Sequence, residues 1–371
     1  MNGFTALGVH PHIAKRLTEL GIEQPTPIQE QTLPYLLEKG GDFIGMAQTG
    51  TGKTAAYGLP LLQRCNHKQR QVQCLVLAPT RELVQQIAKM LFKFTKYYQP
   101  IYTVGVYGGP SLDKQIAALK KPTQIVVATP GRLIDLIERK QIDLSFLKYL
   151  VLDEADEMLK LGFKDDLDYI LTAANTRIQK WLFSATMPRD IEALVKKHLY
   201  HQAKKVIISQ KSVLNTDIKH EYIPCKTNEK LNVLIQFLNK QKDKRAIIFC
   251  KTKKATELLN KQLIAKGFPS QAIQGDMTQI DRDKVMRAFK NKTLRLLIST
   301  DVSARGIDVD NLAFVLHYEM PDQIDYYTHR AGRTARGGRK GASIALVDEK
   351  ELRFLKNLSK SLNFELNETV I

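Results

Sequence analysis

The segment "AQTGTGKT", residues 47–54, has the residue types of a loop that binds the phosphates of a nucleotide. Glycines let the backbone bend so that successive N–H groups can point at phosphate oxygens, a lysine adds positive charge, and a threonine hydroxyl can ligate Mg²⁺. The general pattern has glycine six positions before the lysine, where this chain has Ala47. A Gly/Thr-rich turn before a helix is the alternative, but the intact Gly-Lys-Thr ending favours phosphate binding. The residues that would do this chemistry are Gly50, Thr51, Gly52, Lys53 and Thr54.

A second motif, "VLDEAD" at residues 151–156, could supply the carboxylates that such a loop needs. Its apolar run ends in Asp153, which is placed to bind Mg²⁺ through water, and Glu154 follows, placed to polarise the attacking water. Acidic residues are also common at helix N-termini, so the motif by itself fits either interpretation. Together with a Gly-Lys-Thr loop about one hundred residues earlier, it favours nucleotide hydrolysis.

Other polar clusters could bind the phosphates of a nucleic acid. "PTREL" (79–83) and "TPGR" (129–132) each combine a hydroxyl, a cationic side chain and the start of a helix, and these groups favour anions. Each cluster is also typical of a helix cap, and "GG" at 108–109 is typical of a turn. The residues that these clusters offer are Pro79, Thr80, Arg81, Gly108, Gly109, Thr129, Pro130, Gly131 and Arg132.

A cationic cluster lies near the C-terminus. Residues 329–340 contain five cationic residues and no acid. Such a cluster can stabilise the negative charge that spreads over a phosphoryl group during its transfer.

These polar clusters follow short runs rich in Val, Ile and Leu, which indicate strands. Nearly continuous apolar runs are typical of strands buried on both faces, as in a parallel sheet flanked by helices. Ligands of such sheets bind where the strands end at their carboxyl side, and the polar clusters lie there. In the first half of the chain the runs are 74–78, 124–128, 148–152, 180–183 and 205–209.

The same alternation of strands and helices begins again after a polar stretch without a strong period. We therefore expect an α/β protein with a first domain over residues 1–207, a linker at 208–217 and a second domain over 218–371. The expected strands of the second domain are 245–250, 270–275, 294–299, 312–317 and 342–347.

Composition limits the possible classes of protein. The chain has 371 residues, 43% of them hydrophobic and 25% charged, as in globular proteins. Its formal net charge of +18 favours a polyanionic partner, nucleic acid or an anionic membrane surface, although a basic balance can also serve solubility alone. The four cysteines form no C-x-x-C pair, and no run approaches 18 apolar residues. We expect a cytoplasmic protein with reduced thiols that neither enters the secretory pathway nor spans a membrane.

Taken in order, the motifs resemble those of DEAD-box RNA helicases, which have two RecA-like domains. The phosphate loop of that family reads A-x-x-G-x-G-K-T, so Ala47 is the residue that the resemblance implies. The similarity runs from Phe4 to Gly338 and covers almost the whole chain. It implies ATP and Mg²⁺ as cofactors, with Thr54 and Asp153 at the metal.

The resemblance also implies an adenine-binding segment, "GIEQPTPIQ" at residues 21–29, with Phe4 upstream of it. In it Gln29 would hydrogen-bond the adenine edge and Thr26 would help to hold it. Ile22 stands where many members have an aromatic residue, so aliphatic contact would replace stacking on the base.

Coupling and RNA-binding roles follow from the same resemblance. Ser184 and Thr186 of "SAT" would hydrogen-bond Asp156 and report whether the nucleotide site is closed. His329 and Arg330 would face the first domain. The remaining implied residues are Arg282 and Thr300 at the RNA, Gly306 and Asp308 at the nucleotide, and Arg333 and Arg336 as arginine fingers on the γ-phosphate.

The function that we expect is that of an ATP-dependent RNA helicase or ribonucleoprotein remodeller. A monomer would bind RNA mainly through phosphates and 2′-hydroxyl groups and would unwind short duplexes as its two domains close. Two alternatives remain. A DNA-directed translocase would share the phosphate loop and the arginines but generally lacks the segment at 21–29, and stimulation of the ATPase by RNA or by DNA would decide. An RNA clamp would show decay at Lys53, Glu154 or the arginines, and none is seen.

Overall fold

A computed structural model shows the chain as two compact units, Met1–Ser209 and Gln210–Ile371. The structure describes residues 3–48, 50–174, 178–208, 217–304, 312–335 and 340–370. The division between the units falls inside the segment 208–217, where the linker is expected. Each unit contains its own sheet and its own cores.

Unit 1 alternates strands with helices along the chain. Its strands are β1 (Phe43–Met46), β2 (Cys74–Leu77), β3 (Thr103–Val106), β4 (Ile125–Ala128), β5 (Tyr149–Asp153), β6 (Gln179–Ser184) and β7 (Lys204–Ile207). Its α-helices are α1 (Gly3–Ala6), α2 (Pro11–Glu19), α3 (Pro27–Pro34), α4 (Lys53–Arg64), α5 (Arg81–Phe94), α6 (Leu112–Leu119), α7 (Pro130–Glu138), α8 (Ala155–Lys160), α9 (Lys164–Ala173) and α10 (Arg189–His198), and a π-helical turn (Tyr35–Lys39) follows α3.

The strands of unit 1 form one sheet in the order β3-β4-β2-β5-β6-β1-β7, and every pairing is parallel. Side chains alternate between two buried faces. Val76 and Val151 belong to one core, with helices α2 to α5, while Leu75 and Leu152 belong to the other, with helices α7 to α10. Burial of such a side chain contributes roughly 1.5–3 kcal/mol, which explains why nearly continuous aliphatic runs form these strands.

Unit 2 repeats this architecture with a second all-parallel sheet in the order β10-β11-β9-β12-β13-β8-β14. Its strands are β8 (Ile218–Pro224), β9 (Ala246–Phe249), β10 (Ser270–Ile273), β11 (Leu296–Ser299), β12 (Phe314–His317), β13 (Gly341–Val347) and β14 (Leu366–Glu368). Its α-helices are α11 (Lys230–Lys240), α12 (Lys253–Ala265), α13 (Gln279–Lys290), α14 (Asp301–Ala304), α15 (Ile324–Ala331) and α16 (Glu349–Leu362), with a 3₁₀ turn (Thr227–Glu229) before α11.

The expected α/β class with two mainly parallel, helix-flanked sheets is confirmed. All ten strands expected from apolar runs are present, with ends that differ by up to two residues. Four strands carry no such signal in the sequence: β1, β3, β8 and β14. Because all strands of a sheet run in the same direction, the loops that follow them meet at one edge.

Candidate functional site

In unit 1 the predicted site segments lie at the carboxyl edge of the sheet and divide into two groups of neighbouring strands. The phosphate loop follows β1, "SAT" ends β6 and "DEAD" ends β5, and these three strands are adjacent. "PTREL" follows β2, "TPGR" follows β4 and "GG" follows β3, which are also adjacent. The sheet therefore places the candidate nucleotide segments at β5, β6 and β1 and the candidate RNA segments at β2, β4 and β3.

The phosphate loop turns sharply at two glycines before helix α4. Gly50 and Gly52 have φ angles of 86° and 88°, which glycine adopts without steric cost. A Cβ on Gly52 would lie 2.3 Å from the Gln29 Nε2 atom, so a side chain does not fit there. The Thr51 hydroxyl donates to the Gln48 carbonyl at 2.7 Å, within the loop. Lys53 and Thr54 are then the first two residues of α4.

Lys53 and Asp153 are buried with unsatisfied polar atoms. Among the residues that the structure describes, the Lys53 Nζ and the Asp153 Oδ1 atoms have no hydrogen-bond partner. Burial raises the pKa of Asp153, and the charge of Lys53 and a hydrogen bond from Tyr57 partly offset this. Buried orphan atoms are rare because they cost about 1–3 kcal/mol each. A phosphate group at Lys53, and Mg²⁺ with its water ligands at Asp153 and Thr54, would satisfy them, so the residues fit Mg²⁺ and ATP.

Gln29 ties the predicted adenine-binding segment to the phosphate loop. Its Nε2 donates to the Gly52 carbonyl at 3.0 Å, and its Oε1 accepts from the Thr26 backbone N–H at 3.0 Å. Ile22 is half-buried against the first core of unit 1.

Phe4 is 0% exposed inside the same core, and the place at the nucleotide expected for it stays a prediction. Its helix α1 lies against the predicted adenine-binding segment, since a Cβ on Gly3 would lie 2.9 Å from Pro25 Cδ. Phe4 therefore belongs to the core on which that segment packs.

The two acidic residues after Asp153 differ in environment. Glu154 has a left-handed backbone conformation (φ 53°, ψ 50°) where β5 gives way to α8. Asp156 is buried, and its Oδ2 accepts from the Thr186 backbone N–H at 3.0 Å and from the Thr186 hydroxyl at 2.8 Å. The Asp156 N–H in turn donates to the Ser184 Oγ at 3.3 Å. The structure thus brings together the three residues that were expected to couple; their coupling role stays a prediction.

The pKa of Asp156 moves in the opposite direction to that of Asp153. Burial by itself would raise it, but hydrogen bonds from Thr186 and Ser184 and the charges of Lys53 and Lys160 outweigh burial and hold the pKa below its usual value. Asp156 is therefore charged at neutral pH and fixed between strands β5 and β6.

The candidate RNA segments of unit 1 contact one another. A Cβ on Gly108 would lie 3.2 Å from the Arg81 guanidinium, so Arg81 lies directly over that glycine. The Arg132 guanidinium donates to the Pro110 carbonyl at 3.4 Å. Thr80 caps α5 through the Leu83 N–H at 3.3 Å. Two arginines, from the first turns of α5 and α7, therefore border the turn after β3.

The other residues predicted in these segments are buried, begin a helix or form a turn. Pro79 and Thr129 are buried, and Thr129 precedes α7, where Pro130 and Gly131 form the first turn. Gly109 has a φ of 112°, a conformation that favours glycine.

In unit 2, Thr300 and Arg282 meet at α14. The Thr300 hydroxyl accepts from the Ser303 N–H at 3.4 Å, and Arg282 donates to the Ser303 carbonyl at 2.8 Å. Both side chains are more than nine-tenths buried. Gly306, Asp308 and Arg336 lie outside the described residues.

Arg330 is 1% exposed and has several hydrogen bonds within unit 2. It binds Asp301 through two hydrogen bonds of 2.6 and 2.7 Å and donates to the Glu319 carbonyl at 2.7 Å. It also donates to His317 Nδ1 at 3.3 Å, so the proton of neutral His317 is on Nε2, which donates to Ser343. Arg330 therefore joins α15 to α14 and to the sheet of unit 2, and the place at the first domain that the resemblance implies for it stays a prediction.

Two more residues of the cationic cluster at 329–340 lie close to Arg330 in the sequence. His329 is half-buried near the end of α15, and Arg333 is 9% exposed just after it.

Sequence reasoning missed Tyr57. Its hydroxyl donates to the Asp153 Oδ2 at 2.8 Å, and the ring is fully buried. The signal that was available is its position three residues after Thr54, on the same face of the helix.

No helix in the described ranges is long and apolar enough to cross a membrane. Within those ranges there is also no group of three or more His, Cys, Asp or Glu side chains that could hold a metal ion by themselves. Mg²⁺ needs no such cage when substrate phosphates and waters complete its coordination.

Comparisons with known proteins agree with this arrangement. A family model described as DEAD/DEAH box helicase matches residues 26–194, and one described as helicase conserved C-terminal domain matches residues 229–338. The ATP-dependent RNA helicase CshA of Listeria monocytogenes is 41% identical over 356 residues, which are 96% of this chain and 68% of that protein. The ATP-dependent RNA helicase DeaD of Mycobacterium tuberculosis is 40% identical over 365 residues, which are 98% of this chain and 64% of that protein.

A solved structure of S. cerevisiae Dbp5 bound to RNA and ADP BeF3 superposes with a TM-score of 0.90 at 31% identity, covering 100% of this chain and 96% of that one. The chain spans 60 to 68% of the length of four such curated relatives. With both family models in order and this identity over nearly its whole length, the chain belongs to the DEAD-box family of ATP-dependent RNA helicases.

Proposed function

We propose that this chain binds ATP and RNA and uses ATP hydrolysis to separate short RNA duplexes locally. The observation that supports this most is the shared carboxyl edge of unit 1. There the buried, unsatisfied Lys53 Nζ and Asp153 Oδ1 belong to the segment that follows β1 and to the end of β5, and Arg81 and Arg132 belong to the segments that follow β2 and β4. Relatives named as ATP-dependent RNA helicases support the same activity.

On the nucleotide side, each residue has a distinct task. Lys53 neutralises the β- and γ-phosphates, and Gln29 hydrogen-bonds the adenine edge. Thr54 and Asp153 would hold Mg²⁺, which would neutralise the charge that develops on the phosphates. Glu154 accepts the proton of the attacking water, so its carboxylate must be charged when ATP is bound.

On the RNA side, Arg81 and Arg132 contact phosphates, and Thr80 and Thr129 add hydroxyl donors near helix N-termini. Contacts to phosphates and 2′-hydroxyl groups carry little base information, so we expect RNA to be preferred over DNA without strong sequence preference.

The second unit completes the mechanism. Arg333 and Arg336 stabilise the charge on the transferred phosphoryl group, and Thr300 and Arg282 lie in the part of unit 2 that binds RNA. Joint binding of ATP and RNA draws the two units together and bends the bound strand, which its partner strand cannot follow. Hydrolysis then weakens RNA binding and resets the cycle.

The test compares ATP hydrolysis with single-stranded RNA and with DNA of the same sequence, and measures strand release from a short RNA duplex. We expect RNA to stimulate hydrolysis and the duplex to separate only with ATP. Lys53→Ala should abolish both, whereas Lys68→Ala, which removes an exposed lysine, should change neither. Equal stimulation by DNA would favour a translocase, and ATP-dependent RNA binding without strand release would favour a clamp.

Two further properties belong to this proposal. Four thiols without a disulfide fit the reducing cytoplasm as the location. A complete set of ATP and RNA residues within one chain fits a monomer.

A further inference from the structure

Tyr57 is held rigidly beside the residue that would bind Mg²⁺. It lies on the first turns of α4, and its ring packs against Phe183 with a centroid distance of 5.2 Å. Its side chain is 0% exposed, and its hydroxyl lies 2.8 Å from the Asp153 Oδ2. A phenol in an apolar core needs a hydrogen-bond partner, and here that partner is a carboxylate 96 residues away in the chain.

The direction of this hydrogen bond follows from the chemistry of the two groups. The phenol hydroxyl carries the hydrogen and donates it, and the Oδ2 atom of the Asp153 carboxylate accepts it. This occupies the Oδ2 atom and leaves the Oδ1 atom without a hydrogen-bond partner in the described part of the chain.

A carboxylate with one oxygen fixed cannot rotate freely, and its second oxygen keeps a constant position. Residues that hydrogen-bond the ligands of a metal ion orient those ligands, and their loss commonly costs 10–100-fold in metal affinity or activity. A phenylalanine at position 57 would fill the same space in the core, so the hydroxyl is the only part of the side chain that packing does not explain.

We propose that Tyr57 is a positioning residue for ATP hydrolysis, whose hydroxyl holds one oxygen of Asp153 so that the other is available to the hydrated Mg²⁺ of bound nucleotide. This inference rests on the proposed ATPase function and adds to it a residue outside the recognised motifs. Tyr57 acts through Asp153 and touches neither substrate nor the reacting atoms.

The experiment uses the full chain and measures binding of a fluorescent ADP derivative with and without Mg²⁺. Tyr57→Phe should bind the nucleotide like the wild type when EDTA removes Mg²⁺. Its gain in affinity on adding Mg²⁺ should be smaller by about tenfold or more. The matched control is Tyr149→Phe, which removes a hydroxyl from the same core at the other end of β5, 3.4 Å from Arg64, and should behave like the wild type.

A double-mutant cycle with Asp153→Asn identifies the route of the effect. If Tyr57 acts through Asp153, the variant with both changes should lose no more of the Mg²⁺-dependent gain than Asp153→Asn does. Losses that add, or a full gain in Tyr57→Phe, would overturn the proposal. Weaker binding of Tyr57→Phe without Mg²⁺ would overturn it too, because the hydroxyl would then support the core in general. The readout is nucleotide binding, so it gives an answer even if strand separation fails.

Discussion

At the scale of single residues, Glu154 has the most unusual backbone among the candidate catalytic groups. Its left-handed conformation (φ 53°, ψ 50°) costs a residue with a Cβ roughly 1 kcal/mol or more. The buried Asp153 before it and the buried Ala155 after it hold the backbone in place. Such strain is common where a functional side chain must be aimed, which agrees with the role of base proposed for Glu154.

Changing Glu154 to Gln separates binding from hydrolysis. Gln has the same size and can take the same backbone conformation, and Lys53, Thr54 and Asp153 remain in place. We expect Glu154→Gln to bind ATP and RNA together almost as the wild type does. Hydrolysis should fall by roughly 10²–10⁴-fold, the usual contribution of a general base. Single-turnover ATP hydrolysis and RNA binding with ATP measure the two effects, and an equal loss of RNA binding would contradict this division of roles.

At the scale of elements, the two ends of α7 provide a direct test of the RNA side. Arg132 lies in the first turn of α7 at the carboxyl edge, and Arg139 lies at its C-terminal end, where it pairs with Asp135 at 3.0 Å. We expect Arg132→Ala to weaken RNA binding by about tenfold. The slope of the logarithm of the RNA affinity against the logarithm of the salt concentration should become smaller in magnitude by roughly 0.7. Binding of ATP without RNA should stay the same. Arg139→Ala is the matched control, and an equal effect of both changes would mean that RNA does not follow the carboxyl edge.

The packing of β8 against α15 makes unit 2 sensitive to acid. His220 on β8 is 3% exposed, its Nδ1 lies 2.9 Å from the Tyr327 hydroxyl on α15, and burial lowers its pKa to about 4. The folded unit therefore keeps His220 neutral, while the unfolded chain takes up a proton below about pH 6.5. The contribution of His220 to the free energy of unfolding is fully present above that pH and is lost as the pH falls toward 4. Between pH 7 and pH 5 the loss is about 2 kcal/mol. His317, whose pKa burial also lowers, acts in the same direction.

Hydrogen exchange of the β8 and β13 amides at pH 7 and pH 5 measures this free energy of opening. We expect His220→Asn to reduce the difference between the two pH values, whereas a change of the exposed His12 in unit 1 should leave it unaltered. An unchanged pH dependence in His220→Asn would show that other groups are responsible.

The strands were predictable from the sequence where helices bury both of their faces, and they were less predictable elsewhere. The runs that became β2, β4, β5 and β9 consist almost entirely of aliphatic residues because helices cover both faces of these strands. Strands β1 and β3 each have four residues and contain a glycine, Gly45 or Gly105, which weakens the apolar signal. β8 alternates exposed and buried residues, and β14, at the edge of the sheet, has three residues.

The candidate site was predictable in its residue types and order but not in its contacts. Lys53, Asp153 and Glu154 follow from the chemistry of phosphates and from their place after apolar runs. The bond from Tyr57 to Asp153 spans 96 residues and that from Arg330 to Asp301 spans 29, so only tertiary packing reveals them. Phe4 is another case, because a sequence match implied a place at the nucleotide for it, whereas its complete burial in the core could be learned only from the structure.

At the scale of the whole molecule, we expect unit 1 to be sufficient for ATP binding, whereas fast hydrolysis should also require unit 2. Residues 1–207 contain Gln29, Lys53 and Asp153 together with the cores that support them, so this fragment should fold and bind nucleotide. It should hydrolyse ATP slowly, because it lacks the arginine fingers. An arginine finger raises the turnover rate by roughly 10³–10⁵-fold. Arg333→Ala in the full chain should resemble the fragment. RNA-stimulated hydrolysis measured on the full chain, the fragment and Arg333→Ala tests this, and a fragment as fast as the full chain would contradict the closure mechanism.

The common carboxyl edge of unit 1 also sets a thermodynamic condition. Because the strands that carry Lys53 and Asp153 belong to the same rigid sheet as those that carry Arg81 and Arg132, occupancy of one side can bias the other. Any such coupling free energy is reciprocal: if ATP raises the affinity for RNA by about a hundredfold, RNA must raise the affinity for ATP by the same factor. Through the sheet, the binding of each ligand would then strengthen the binding of the other. Hydrolysis of ATP would therefore weaken the binding of nucleotide and of RNA together.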